Sequence, residues 1–147
     1  MVIAVEYMRE IINVFDKAER IKVFSEGEAT TYNCGTDEYK GITECWYEMI
    51  ANAYEMPAFG VSLNNETVKA LKSGRWIEFD FGKRLEINGM PFEKLLIQVE
   101  SNYKGFNLIR YTKERGYDGR CFYLNLVDND MLKLSEYLAF LAQNTAI

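Results

Sequence analysis

A chain of 147 residues, 48% hydrophobic and 27% charged, matches one folded domain in size and composition, which excludes a disordered tail or a fibrous repeat. Its net charge of −5 repels phosphate backbones and argues against direct nucleic-acid binding. No stretch approaches the roughly 20 apolar residues of a membrane span.

The charge is unevenly placed. Residues 1–60 carry eleven carboxylates against five basic side chains, whereas residues 61–147 carry eleven against twelve. Lys83–Arg84 and Lys113 with Arg115 are basic pairs, too short to form a nucleic-acid-binding run. Three widely spaced cysteines, Cys34, Cys45 and Cys121, argue against a disulfide framework and for a reducing compartment. The segment Met1-Val2-Ile3-Ala4-Val5-Glu6 lacks a basic leader pattern, so a cytoplasmic location is expected.

Residues 3–18 carry Tyr7, Met8, Ile11, Ile12 and Phe15 at helical spacing, with Arg9, Glu10, Asp16 and Lys17 on the wet side. Arg20–Phe24 and Glu28–Tyr32 read as a short hairpin across Ser25-Glu26-Gly27. A second helix is expected over 37–54, capped by Thr36 or Asp37, with Ile42, Cys45, Trp46, Met49, Ile50 and Ala53 as its buried stripe. Pro57 and Gly60 close it. A third helix is expected near 65–73, capped by Asn64 or Asn65, with Val68 and Leu71 inward and Gly74 as its stop.

From Arg75 the period changes to two. Ile77, Phe79 and Phe81 alternate with Trp76, Glu78 and Asp80, the pattern of a half-buried strand. A loop at Gly82-Lys83-Arg84 would set Phe81 against Leu85 and Phe79 against Ile87. Asn88-Gly89 is a strong hairpin signal. Leu95, Ile97 and Val99 then continue the buried face, which requires a bulge near Met90-Pro91. Strands near 106–113 and 120–126 follow, the latter with Phe122, Leu124 and Leu126 inward. Asp128 is placed to cap a final helix striped by Met131, Leu134, Leu138 and Leu141.

The expected fold is a single α+β domain over residues 1–147, in the order α-β-β-α-α-β-β-β-β-β-α. A five-stranded antiparallel meander, plus the short N-terminal hairpin, would have its helices packed on one face.

Histidine is absent. That removes the usual general base near neutral pH and the commonest metal ligand. The cysteines are separated by 11 and 76 positions, too far for a zinc knuckle. Cys45 falls on an apolar stripe, and Cys34 is the one thiol placed ahead of a helix N-terminus, where its pKa could fall. Asp128-Asn129-Asp130 opens like a calcium loop but lacks the glycine and distal glutamate. No catalytic residue, metal or cofactor is therefore assigned. Glu78, Asp80 and Glu86 would share the outer strand face beside Trp76 as a solvated surface, and Tyr111 and Tyr123 would pack across strands.

One surface fits recognition. Opposite its apolar stripe, the second helix carries Lys40, Glu44, Tyr47, Glu48, Ala51 and Tyr54 at spacings of three and four. Glu44, Tyr47, Glu48 and Tyr54 would form an acidic, tyrosine-bearing face for a basic protein partner. The expected function is thus a non-enzymatic intracellular binding module of the chaperone, immunity-protein or inhibitor type. The alternative is a small-molecule binder or enzyme with an apolar pocket lined by Trp46, Phe59, Trp76, Phe79 and Phe122.

Overall fold

The computed structural model describes residues 11–56 and 60–145. Half of the helix expected over 3–18, residues 3–10, lies outside them. Its visible end runs from Ile11 into a 3-10 turn at Val14–Lys17 and buries Ile11, Val14 and Phe15.

Nine strands follow in chain order: β1 (Arg20–Ser25), β2 (Glu28–Asn33), β3 (Tyr54–Met56), β4 (Val61–Ser62), β5 (Arg75–Ile87), β6 (Met90–Val99), β7 (Gly105–Tyr111), β8 (Gly119–Arg120) and β9 (Phe122–Asn125). The α-helices that lie wholly within the described residues are α1 (Asp37–Ile50), α2 (Asn64–Ala70) and α3 (Leu132–Thr145). Seven strands form one sheet in the order β2-β1-β5-β6-β7-β9-β3, antiparallel throughout, while β4 and β8 pair separately.

The α+β class and the antiparallel sheet agree with the sequence reading, but the strand count does not. The meander has four strands rather than five, because β5 is one 13-residue strand. No turn forms at Gly82-Lys83-Arg84. Register instead jumps from Asp80↔Lys94 to Leu85↔Phe92, so the surplus residues are taken up as a bulge. Gly82 sits at φ +69°, and its N–H donates to Asp80 Oδ1 at 3.0 Å. The bulge expected near Met90-Pro91 is absent there, since Glu86↔Pro91 and Ile87↔Met90 pair regularly into the Asn88-Gly89 turn. The N-terminal hairpin joins the main sheet through β1 and β5, with Val23 opposite Ile77 and Ile21 opposite Phe79. The seventh strand, β3, begins at Tyr54, the expected end of the second helix.

One face carries Ile21, Ile77, Phe79, Leu95, Ile97, Leu108, Phe122 and Leu124, all with no solvent exposure, and α1, α3 and the Ile11–Phe15 turn pack onto it. Rings fill the layer. Trp46 lies 4.8 Å from Phe15 and 4.9 Å from Phe79, and Phe15 lies 4.8 Å from Phe79. α1 starts where expected, with Thr36 Oγ1 accepting the Tyr39 N–H at 3.2 Å. It stops at Ile50, and the chain is extended again over Tyr54–Met56.

The opposite face is covered as well, contrary to the one-sided expectation. Trp76, Leu96 and Tyr117 form a second buried cluster with Phe24, Leu71, Ile109 and Tyr111 around it. The α2 segment and the connection from β7 to β8 close over this face. Thr67, not Val68, is the buried residue of α2, and Val68 is exposed. Asn64 does not cap α2 through its side chain. Its N–H donates to Asp118 Oδ1 at 2.5 Å, and its Oδ1 accepts the Tyr117 N–H at 3.0 Å, tying the helix to the connection. At the start of α3, Asp130 rather than Asp128 accepts the Leu132 N–H at 3.0 Å, while Asp128 adopts φ +54°.

Candidate functional site

Glu44 and Glu48 lie exposed on α1, as expected. Glu48 is bridged to α3 by Lys133 Nζ at 2.7 Å. Tyr47 is half-buried and packs against the core, and burial, aided by Asp16, pushes its hydroxyl well above the ordinary tyrosine range. Tyr54 leaves the proposed ribbon altogether. It belongs to β3 opposite Asn125, one residue beyond the inward-facing Leu124, and therefore lies on the sheet face away from α1. There its Oη accepts the Asn125 Nδ2–H at 2.8 Å. Four residues spaced for a helix become a pair of exposed carboxylates, a core-edge ring and a residue on another surface.

The neighbouring helix supplies aromatic surface that α1 does not. Tyr137 and Phe140 of α3 stack with ring centroids 6.2 Å apart, and Phe140 is 53% exposed. Tyr137 reaches α1 at Gly41, where a methyl group would collide with its hydroxyl and ring. Burial raises its pKa, as do Cys45, Glu38, Tyr32 and Asp37. The two helices thus meet at Gly41 and Tyr137 and between Glu48 and Lys133, and Asp37, Glu38, Glu44 and Glu48 are exposed on α1.

The carboxylates expected on an open outer strand face behave differently. Glu78 is 1% exposed. Tyr117 Oη donates to Glu78 Oε2 at 2.6 Å, and Lys94 Nζ stands 4.0 Å from Oε1. Burial raises the Glu78 pKa, with Tyr117, Lys94 and Lys22 opposing it. Lys22 is directly across the ladder from Glu78, and Lys94 sits 4.7 Å from the ring centroid of Tyr111. Asp80 shares this face but is bound by Arg20 at 2.8 Å. Burial pushes its pKa up, yet the Arg20 guanidinium and the Gly82 N–H outweigh that and hold it low. Glu86 does not join them, because it lies beyond the bulge opposite Pro91, exposed. Sequence reasoning found Glu78 and Asp80 but missed Tyr117, which meets Glu78 across 39 positions. The period-two pattern of β6 was the available signal for Lys94.

Of the cysteines, Cys34 is exposed, Cys45 half-buried against the core and Cys121 buried, and all three are free. Burial pushes the Cys45 and Cys121 thiols up. Among the described residues, no group of three or more Cys, Asp or Glu is arranged to hold a metal ion. No helix is long and apolar enough to cross a membrane among those residues.

Trp46, Phe79 and Phe122 belong to the filled layer between sheet and helices, whereas Trp76 is on the opposite face with its Nε1–H donating to Ser73 O at 3.0 Å. Phe59 lies outside the described residues. The aromatic side chains expected to line one pocket are divided between two packed layers. No family model, curated protein or solved structure matches this chain.

Proposed function

We propose that this chain is a non-enzymatic binding module that recognises a basic protein partner through the joint surface of α1 and α3. The observation that carries the reading is the exposed Phe140 ring, in tilted contact with Tyr137, which reaches the carboxylate-bearing helix α1 at Gly41. Aromatic side chains anchor interfaces because they bury a large area while losing few rotamers, and surrounding charges steer the encounter. Glu44 and Glu48 keep their proposed role. Tyr137 and Phe140 replace Tyr47 and Tyr54 as the aromatic contribution.

Two further observations support a binder over an enzyme. Glu78, the buried carboxyl, is shielded from solvent, so a substrate could not reach it without displacing the covering segment. The ring-filled layer beneath α1 also disfavours an apolar ligand there. The three free cysteines favour a reducing, cytoplasmic setting.

The test is affinity capture from native extract followed by calorimetry with the purified partner. Phe140→Ala should weaken the complex by about tenfold or more, as expected for an aromatic anchor. The pair Glu38→Lys and Glu44→Lys should slow association, and the wild-type complex should weaken as salt rises. A partner whose affinity is unchanged by all three substitutions at low salt would place the interface elsewhere.

A further inference from the structure

Basic residues that are scattered in sequence meet at one end of the sheet. Arg84 from β5, Arg110 from β7, Arg115 from the following connection and Arg120 from β8 line a cleft of about 900 Å³. That volume falls within the range of roughly 300–1,000 Å³ typical of small-molecule sites. Two acidic side chains, Glu114 and Asp118, also line it. The four arginines still outnumber the two carboxylates. Glu114 pairs with Arg84, and Asp118 accepts the N–H of Asn64.

Arg110 occupies the critical position. It is half-buried, and its polar contacts among the described residues are backbone carbonyls: Nε donates to Arg120 O at 2.6 Å and Nη1 to Pro91 O at 2.7 Å. A guanidinium has five N–H donors in a rigid fork. The two carbonyl bonds fix the fork and leave three of its donors without a partner among the described residues. No carboxylate of the described residues forms an ion pair with it. Burial pulls its pKa below the ordinary arginine value, with Arg115 adding to the effect and Cys121 opposing it. A partly desolvated cation held in place without a carboxylate partner is the electrostatic complement of a bound anion.

The rim adds to this. Asn88 and Gly89 form the β5–β6 turn, with φ +57° and +73°, and border the cleft. Gly119, at φ +132°, lies against the Arg110 guanidinium, where a methyl group would crowd Nη2. Met90, Pro91 and the exposed Val61 give the cleft an apolar side.

The geometry points to a binding site for a small organic anion, whose phosphate or carboxylate groups are clasped by Arg110 and Arg120 and whose apolar part rests on Val61 and Met90. The site is independent of the α1–α3 surface. A long nucleic acid is the less suitable occupant, because the chain as a whole carries −5 and would repel the strand outside the cleft.

The experiment is titration of the full-length, isotope-labelled protein with three probes: orthophosphate, pyrophosphate and citrate. Each is followed by backbone amide shifts and calorimetry in about 150 mM salt. Saturable binding of at least one probe is expected, with shifts concentrated at Asn88, Gly89, Gly119 and Arg120. Preference for pyrophosphate identifies a phosphate ligand, and preference for citrate a carboxylate ligand. Arg110→Gln should weaken binding about tenfold or more, because it removes a charge-assisted fork. Arg120→Gln and Arg115→Gln alter exposed side chains, so they report on the site even if the Arg110 variant folds poorly. They should each lower affinity severalfold with an unchanged melting curve. Absence of saturable shifts with every probe up to about 10 mM, or binding unaffected by all three substitutions, overturns the assignment. So does tighter binding of a 12-nucleotide single strand with shifts spread beyond the cleft.

Discussion

Replacing Tyr117 with phenylalanine removes one atom from the covered back of the sheet, and that atom is the hydroxyl donating to Glu78 Oε2 at 2.6 Å. Glu78 is 1% exposed, so water cannot take the donor's place. A neutral hydrogen bond contributes about 1 kcal/mol net, and one to a charged group about 1.5–3 kcal/mol. The loss should therefore depend on the state of the carboxyl. Because burial raises the Glu78 pKa above its ordinary 4.5, its contribution to stability is complete below that value. The contribution declines as pH climbs through the raised value. Tyr117→Phe removes an influence that lowers this pKa, so it extends the decline to higher pH. We expect a loss of about 1 kcal/mol at a pH where the carboxyl is protonated, growing to about 2–3 kcal/mol at a pH where it has ionised, measured by urea unfolding with a common slope. The larger loss corresponds to a melting shift of roughly 4–10 °C for a chain of this length. Glu78→Gln should flatten the pH dependence, and on that background the Tyr117 substitution should cost only about 1 kcal/mol at either pH. Equal losses at both pH values in the wild-type background, or losses below about 0.5 kcal/mol, would refute the picture of a buried acid held by Tyr117.

Other perturbations separate the remaining contacts. Asp80 is held low by Arg20, so its stabilising contribution is present above the ordinary 3.8 and is lost as pH falls further; Asp80→Asn should shrink the acid-induced loss of stability, read by circular dichroism melts between about pH 2 and 5. Gly41→Ala should gain helix propensity yet collide with Tyr137; stabilisation by about 0.5–1 kcal/mol is expected only on a Tyr137→Leu background, so a double-mutant cycle should show clear coupling. A thiol reagent in native buffer should modify Cys34 ahead of Cys45 and Cys121, following their exposure, with mass spectrometry of the peptides as the check.

Local patterns identified several elements. The alternation of Ile77, Phe79 and Phe81 against Trp76, Glu78 and Asp80 separates two strand faces, and Ile21 and Leu95 lie beside Phe79 on the helix-covered one. The apolar spacing of α1 and its Thr36 cap are likewise local facts, as is the Asn88-Gly89 turn. Boundaries were less legible. Tyr54 kept helical spacing with Glu44, Tyr47 and Glu48, but it paired with Asn125 once β9 offered a strand edge. Continuity of β5 through Gly82 was equally hidden, because a glycine at positive φ serves a bulge as readily as a turn.

Composition and periodicity alone determined that this chain folds as an α+β domain with an antiparallel sheet, because burial of an apolar stripe depends on spacing along one segment. Tertiary structure decided what each sheet face meets. Alternation assigned Glu78 to the outer face, but only the arrival of Tyr117 turned that face into a second interior. In the same way, Arg84 and Arg115 read as members of short basic pairs, and Arg110 and Arg120 as single cations along the chain. They share one cleft because three strand ends converge there. Electrostatic environment depends on distance through space, and no window of sequence contains it.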